Sequence, residues 1–199
     1  MKKRFHRIVT AAVVTGVVLF ASRLLVLADA DGQFSAWSAP VNIGPPVNTQ
    51  LGEAGPFVSK DGLTLYFNAN RPEGFGGFDI YVSKRDSVDD PWGEPKNLGP
   101  TVNSSSNDQT AALSPDGHQL YFASDRPGGF GRLDLYVSHR HDKHRDFDEF
   151  GNSTWQTAVN LGGHVNSIGG EVGPTLFEDD GIVTPLLQFR SVRWADRWR

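Results

Sequence analysis

The chain repeats itself. Residues 37–85, WSAPVNIGPPVNTQLGEAGPFVSKDGLTLYFNANRPEGFGGFDIYVSKR, align without a gap on residues 92–140, WGEPKNLGPTVNSSSNDQTAALSPDGHQLYFASDRPGGFGRLDLYVSHR, and a third copy opens at Trp155. Self-similarity at a fixed period above about forty residues implies a solenoid or propeller rather than one globular core. The period is 55 residues from Trp37 to Trp92 and 63 from Trp92 to Trp155, and the eight extra residues all fall within 141–154. An insertion confined to one connection reads as a surface loop, not a new element.

Within each copy the punctuation is that of short antiparallel strands. The opening Trp (37, 92, 155) is followed by Asn-Ile/Leu-Gly at 42–44, 97–99 and 160–162, a short strand closed by turn residues. Val-Asn follows at 47–48, 102–103 and 165–166, placing Asn48 and Asn103 in a polar loop. An acidic residue stands sixteen positions after each Trp: Glu53, Asp108 and Glu171. A second strand covers residues 55–59 or 110–114 and is closed by Asp61-Gly62 or Asp116-Gly117, a strong hairpin signal between apolar runs. The third strand, Leu-Tyr-Phe at 65–67 and 120–122, has the continuous apolar run of a strand buried on both faces. An Arg-Pro-Gly loop opens at Arg71 or Arg126, and the fourth strand, residues 78–83 or 133–138, carries Asp79 or Asp134 and alternates like a half-buried outer strand. Four short strands with short connections, in a chain with 22 Gly and 12 Pro, describe the meander of a propeller blade.

The pattern Ser-Pro-Asp-Gly-x-x-Leu-Tyr-Phe-x-Ser-x-Arg, followed by a Gly-rich loop and Asp-Leu-Tyr, resembles the WD-like repeat of the TolB type, common in exported bacterial proteins. The resemblance covers residues 37–181 and implies an all-β propeller that serves as a binding platform. Asp61, Gly62, Arg71, Asp79, Asp116, Gly117, Arg126 and Asp134 occupy its signature positions, and Lys60 replaces the signature proline in the first copy. It implies blades near 37–91, 92–154 and 155–181 within a repeat domain spanning 31–181.

The third copy fails after its second strand, residues 173–177. Asp180-Gly181 supplies the turn one residue late, and TPLLQFRSVRWADRWR stands where Leu-Tyr-Phe belongs. Pro185, with four Arg and two Trp in the last ten residues, breaks strand, charge and composition rules together. We read residues 182–199 as an atypical tail translated out of frame, since codons for 185–188 shifted by one base can encode Leu-Tyr-Phe-Asn. An authentic tail with its own role is the alternative. Propellers close with about 4–8 blades. Two blades and part of a third leave open faces and edges that invite self-association.

Ahead of the repeats, Lys2, Lys3, Arg4 and Arg7 precede an apolar run at 8–21, and Ala28-Asp29-Ala30 gives an A-x-A-like cleavage site. This is a secretory signal peptide over residues 1–30, cleaved near Ala28 or Ala30. Retention as an anchor is the competing reading, but Arg23 interrupts the run well short of the about 20 apolar residues a spanning helix needs. The expectation is a periplasmic or secreted protein with no stable membrane span after cleavage. Without residues 1–30 the chain has 14 basic and 22 acidic residues, a net charge of −8. Nucleic acid, whose phosphates demand clustered Lys and Arg, is excluded as a partner. Cysteine is absent, which removes disulfides, thiolate metal sites and a thiol nucleophile.

Alternate turns of a meander emerge at opposite ends. The Val-Asn and Arg-Pro-Gly loops therefore share one end, the expected ligand face, with Asn48, Glu53, Arg71, Asn103, Asp108, Arg126 and Glu171 as its candidate residues. The acids admit two readings: a ring for a cation or a basic partner, or pairing with Arg71 and Arg126 that fixes neighbouring blades. Their reiteration in every copy favours pairing. Gly128-Gly129-Phe130-Gly131 with Asp134 resembles a calcium-binding nonapeptide, but the Asp stands one residue late, and bonding to backbone amides is the better account. His139, His141 and His144, with Asp142, Asp146, Asp148 and Glu149, form one ligand-rich cluster; a solvated, mobile loop outweighs a metal site there. Neither a nucleophile elbow, a zinc-protease motif nor a phosphate loop is present. No metal and no cofactor is expected. The reading is a non-catalytic module binding a protein or a carbohydrate; the alternative is a fragment of a propeller-type carbohydrate-active hydrolase or lyase using carboxylates among Glu53, Asp108 and Glu171.

Overall fold

A computed structural model of the chain describes residues 38–179 and 182–186; the signal-like segment 1–30 and the tail beyond 186 lie outside the described residues. The described residues are all-β, without a helix, and contain two four-stranded antiparallel sheets. The first sheet holds β1 (Glu53–Val58), β2 (Thr64–Ala69), β3 (Asp79–Lys84) and β4 (Lys96–Asn97) in that order. The second holds β5 (Asp108–Leu113), β6 (Gln119–Ser124), β7 (Asp134–His139) and β8 (Val159–Asn160). A hairpin of β9 (Thr175–Asp179) and β10 (Ile182–Leu186) follows, and no closed barrel is formed among the described residues.

Sheet and sequence repeat are offset by one strand. The Asn-Leu-Gly segment that opens the second copy pairs as β4 with β3, Tyr81 opposite Asn97, and the corresponding segment of the third copy pairs as β8 with β7. Each copy thus donates its opening strand to the sheet before it, rather than starting its own. This corrects the reading of residues 78–83 and 133–138 as half-buried outer strands. β3 and β7 are buried at five of six positions because the following copy covers their outer edge. The opening strand expected at 42–44 does not form, since no preceding sheet among the described residues offers it an edge; the other strand expectations hold within two residues. β10 differs as well: it carries Pro185 opposite Leu176, and an edge strand tolerates a residue that cannot donate to a ladder.

The sheets stack face to back. Along β2 and β6 side chains alternate between faces. Tyr66, Ile80 and Val82 on one face of the first sheet pack with Leu120, Phe122 and Tyr136 of the second, and Leu98, Val102 and Trp155 complete the cluster. The opposite face of the first sheet gathers Leu65, Phe67 and Tyr81, the repeat equivalents of Leu120, Phe122 and Tyr136, with Val47 over them. The stacked ring pairs Phe67–Tyr81 and Phe122–Tyr136 have the same 6.0 Å centroid separation, so the two sheets repeat in detail. Burying each such side chain contributes about 1.5–3 kcal/mol, which makes this contact the main source of cohesion between the copies.

The innermost strands carry a matched irregularity. Pairing of β1 with β2 slips between Ala54 and Phe57, and that of β5 with β6 slips between Gln109 and Ala112. At the slip Gly55 has φ +57° and Thr110 +55°, and Gly173, the equivalent position of the third copy, has +67°. Glycine reaches this left-handed region without strain, whereas a β-branched threonine does not. Thr110 is held there by cross-copy bonds: its N–H donates to Asn68 Oδ1 at 3.2 Å, and its hydroxyl accepts from Gly173 N–H at 3.3 Å.

Candidate functional site

The meander places the loops at 44–52, 70–78, 98–107, 125–133 and 161–170 at one end of the sheets, and the Asp-Gly turns with the 141–154 insertion at the other. Most of the polar groups singled out in the sequence lie at the first end, where the structure gives them specific partners.

Asn103 is 2% exposed and grips the strand of the preceding sheet. Its carbonyl oxygen accepts from Ile80 N–H at 2.8 Å, and its amide donates to Ile80 O at 3.0 Å and to Asn97 Oδ1 at 2.8 Å. Asn97 in turn donates to Asp79 Oδ2 at 2.9 Å, and that carboxylate accepts from Phe75 N–H at 2.5 Å. The same clasp recurs one copy on: Asn166 holds Leu135 at 2.8 and 3.0 Å and meets Asn160, which reaches Asp134. Backbone bonds flank it, Asp108 N–H to Phe78 O at 2.6 Å and Glu171 N–H to Leu133 O at 2.8 Å. Gly76 and Gly131 have no room for a Cβ, which would strike the carbonyls of Ser106 and Gly169 in the approaching loop. Burial raises the Asp79 carboxyl above its ordinary range, against the lowering effect of its hydrogen bonds to Phe75 and Asn97.

The acids close turns. Glu53 accepts from the Thr49 hydroxyl at 2.6 Å, Asp108 from the Ser104 N–H and hydroxyl at 2.6 and 2.9 Å, and Glu171 from the Ser167 hydroxyl at 2.6 Å. Asp108, fully buried, also forms an ion pair with Arg126 at 2.6 Å. That pairing lies within one copy and does not fix neighbouring copies to each other. Glu53 and Arg71 behave differently: Arg71 donates to the carbonyls of Pro46 and Val47 at 3.2 and 3.0 Å. Arg126 likewise donates to Val102 O at 2.6 Å, and each guanidinium covers its aromatic pair, Arg71 over Tyr81 at 5.1 Å and Arg126 over Tyr136 at 4.7 Å. Asn48 donates to Asn42 Oδ1 at 2.8 Å and is half-buried. The Asp-Gly turns are self-contained. Asp61 accepts from the Ser59 hydroxyl at 2.5 Å and Asp116 from the Ser114 hydroxyl at 2.5 Å, and these bonds hold both carboxyls below their ordinary range.

The loop end presents polar side chains such as Glu73 and Arg132 to solvent together with large apolar ones. Phe75 and Phe130, equivalent positions in successive Arg-Pro-Gly loops, are 47% and 53% exposed, and Ile168 is 92% exposed. The ring of Phe130 lies against Gly163, so the loop carrying Ile168 and the Arg-Pro-Gly loop are neighbours.

The opposite end holds what sequence reasoning missed. Asp146, read as part of a solvated loop, is 1% exposed and is the hub of a buried network. One oxygen accepts from the Tyr66 hydroxyl at 2.6 Å, Arg140 Nη1 at 2.5 Å and Trp155 Nε1 at 3.1 Å. The other lies 2.7 Å from Lys84 Nζ, a charge contact outside hydrogen-bonding alignment. Tyr66 and Lys84 belong to the first sheet, Arg140 and Trp155 to the second copy's end and the third copy's start, so the insertion is tied across both sheets. Burial, then the Asp146 charge, pushes the Tyr66 hydroxyl well above its ordinary value. A signal for this existed: Arg85 and Arg140 stand in the same repeat phase, each stacked on the next copy's tryptophan, Trp92 at 4.3 Å and Trp155 at 4.4 Å. Beside this hub a cavity of about 750 Å³ opens between the sheets, lined in part by Phe57, Lys84, Lys143, Asp146 and Leu176. Among the described residues no group of three His, Asp or Glu side chains is arranged to hold a metal ion, and no helix is long and apolar enough to cross a membrane. The chain matches no protein-family model and no curated protein.

Proposed function

We propose that the chain is a non-catalytic interaction module of the TolB-like propeller type, exported to the cell envelope or beyond, which binds a protein or glycan through its Arg-Pro-Gly loops. Face-to-back stacking with one clasp used twice is the relation that generates a propeller when repeated, and this supports the architecture. The observation that carries the functional reading is the pair Phe75 and Phe130, half exposed at equivalent loop tips held by the Asp79 and Asp134 carboxylates. Exposed apolar side chains on a rigid scaffold mark recognition surfaces. The acids a hydrolase would need are committed elsewhere: Asp108 to Arg126 and Ser104, Glu53 to Thr49 and Glu171 to Ser167. The test is retention of the protein on purified sacculi and on immobilised envelope proteins. Combined Phe75→Ser and Phe130→Ser substitution is expected to abolish retention with the far-ultraviolet circular dichroism unchanged. Retention equal to the unmodified protein refutes the reading. Glycan cleavage lost on Glu53→Gln with Asp108→Asn, in a folded protein, would establish the hydrolase instead.

A further inference from the structure

The cavity at the Asp-Gly end is not a property of the repeat. It measures about 750 Å³, inside the range of about 300–1,000 Å³ in which small-molecule sites fall. Its apolar floor comes from all three copies: Phe57 and Leu63 of the first, Leu113 of the second and Leu176 of the third, each half-buried. One wall is the insertion, through Lys143, His144 and Asp146. The equivalent connection of the first copy, residues 86–91, is eight residues shorter and has no such wall to offer. Loops added to a rigid scaffold are where binding sites are built.

The charge of a ligand follows from the charged groups it can reach. Asp146 is 1% exposed; one oxygen is taken by Tyr66, Arg140 and Trp155, and the other is covered by the Lys84 ammonium at 2.7 Å. A ligand therefore meets Lys84, whose side chain is 46% exposed, in front of that carboxylate. Lys84 Nζ also donates to His144 O at 3.3 Å, which brings it beside the residue that follows Lys143. Lys143 is exposed, lies along the Gly117 turn, and is in no ion pair among the described residues. At the rim, Asp61 and Asp116 each turn an oxygen into their own hairpins, onto the Ser59 and Ser114 hydroxyls at 2.5 Å. The lining holds five Lys and Arg side chains against four Asp, in a chain whose residues 31–199 carry a net charge of −8. The cavity is a cationic recess with an apolar floor in an acidic protein.

We propose that this cavity binds a small amphipathic anion, an organic acid whose carboxylate is met by Lys84 and Lys143 and whose hydrocarbon body lies on Phe57, Leu113 and Leu176. Burial of the body supplies affinity in proportion to its apolar area, and charge-assisted hydrogen bonds to the lysines fix which end faces them. Asp146 keeps its partners throughout. An ammonium carries three donors, so Lys84 turns one N–H to the ligand while its charge stays over the Asp146 carboxylate. The site stands at the opposite end of the sheets from Phe75 and Phe130 and does not rest on their role.

The probe is decanoate, kept below micelle-forming concentrations and titrated into the full chain by isothermal calorimetry. Saturable binding is expected. Decyltrimethylammonium, the same hydrocarbon under the opposite charge, is expected to bind more weakly by about tenfold or more, as is decanoate to the protein with Lys84→Met and Lys143→Met combined. Lys143→Glu alone, outside the Asp146 network, keeps the test decisive if the double variant disturbs the fold, and is expected to weaken decanoate as well. Absence of saturable decanoate binding to the folded chain overturns the inference. Equal affinity for the ammonium overturns it too, since the cavity would be taking hydrocarbon alone. So does unchanged decanoate affinity in the lysine variants, since the carboxylate would then lie elsewhere.

Discussion

Replacing Asp146 by alanine is the most severe single test of how the two sheets are joined. The carboxylate is 1% exposed and sits against four donors. Arg140 matters most, because its side chain is 3% exposed and its partner lies at 2.5 Å. Removing one member of a buried pair strands the other charge, at a cost of about 3–5 kcal/mol. Arg140 Nε remains bonded to Gly117 O at 2.8 Å and the guanidinium remains over Trp155, so the guanidinium cannot simply leave. The Tyr66 hydroxyl and Trp155 N–H also lose their acceptor, at about 1–3 kcal/mol each if no water reaches them. These costs are not additive within one network, and a total of about 4–6 kcal/mol is a large share of a domain stability of about 5–15 kcal/mol. Lys84, 46% exposed, provides a contrast. Its ammonium is half in solvent, and Lys84→Met leaves Asp146 held by Arg140, Tyr66 and Trp155, so that it is expected to cost less than Asp146→Ala.

The assay is equilibrium urea unfolding followed by tryptophan fluorescence, with Arg140→Met, Asp146→Leu and the double variant completing a cycle. The double variant, which removes both charges, is expected to be more stable than Asp146→Leu alone. A loss below about 1 kcal/mol for Asp146→Ala would refute the reasoning, for it would mean that water already solvates the carboxylate.

Three further outcomes follow from the same geometry. Asn103→Ala leaves the N–H of fully buried Ile80 unpaired, while its C=O keeps Leu98 N–H at 3.1 Å, and is expected to cost about 1–3 kcal/mol, against less than about 1 kcal/mol for the half-buried equivalent Asn48→Ala, both read by urea denaturation. Thr110→Val is expected to destabilise more than Thr110→Gly, the reverse of ordinary strand preference, since glycine relieves the +55° φ that valine retains without the bond to Gly173. Because burial raises the Tyr66 hydroxyl well above its ordinary value, its folded-state contribution is full below the unfolded value and is lost as pH rises through and beyond it. Absorbance at high pH should show one tyrosine ionising only with unfolding, and Tyr66→Phe should remove that step.

The turns and central strands were legible because their signals are local. Asp61-Gly62 and Asp116-Gly117 close their hairpins through the carboxylate of the same turn, and Leu-Tyr-Phe is apolar enough to be central in any sheet. The strand offset was not legible. A period fixes which residues are equivalent but not which copy a two-residue strand pairs with, and Asn97 pairs backwards with Tyr81. The same blindness made Asn103 resemble a ligand-face residue, since its partner Ile80 lies 23 positions earlier in the chain. Asp146 was hidden for the opposite reason. It occurs in one copy only, inside a charged stretch whose composition reads as solvated, and its partners Tyr66 and Lys84 come from the sheet before.

The offset also decides how the exposed loop tips are held. Because β4 and the Asn103 clasp reach from the second copy to the first sheet, neither sheet is complete without the following sequence. Stability in such arrays is a sum of nearest-neighbour terms. Here the first junction is tied at both ends: Asn103 on Ile80 at the loop end, and Asp146 on Tyr66 and Lys84 at the Asp-Gly end. A junction pinned twice resists both splaying and sliding. The loop tips carrying Phe75 and Phe130 are fixed by the Asp79 and Asp134 carboxylates, which accept from their N–H groups at 2.5 Å. Each tip is thereby wired through Asn97 or Asn160 to the clasp beneath it. The exposed rings are therefore positioned by the same bonds that join the copies, and a ligand bound there, as proposed, would meet a preformed surface without ordering it first.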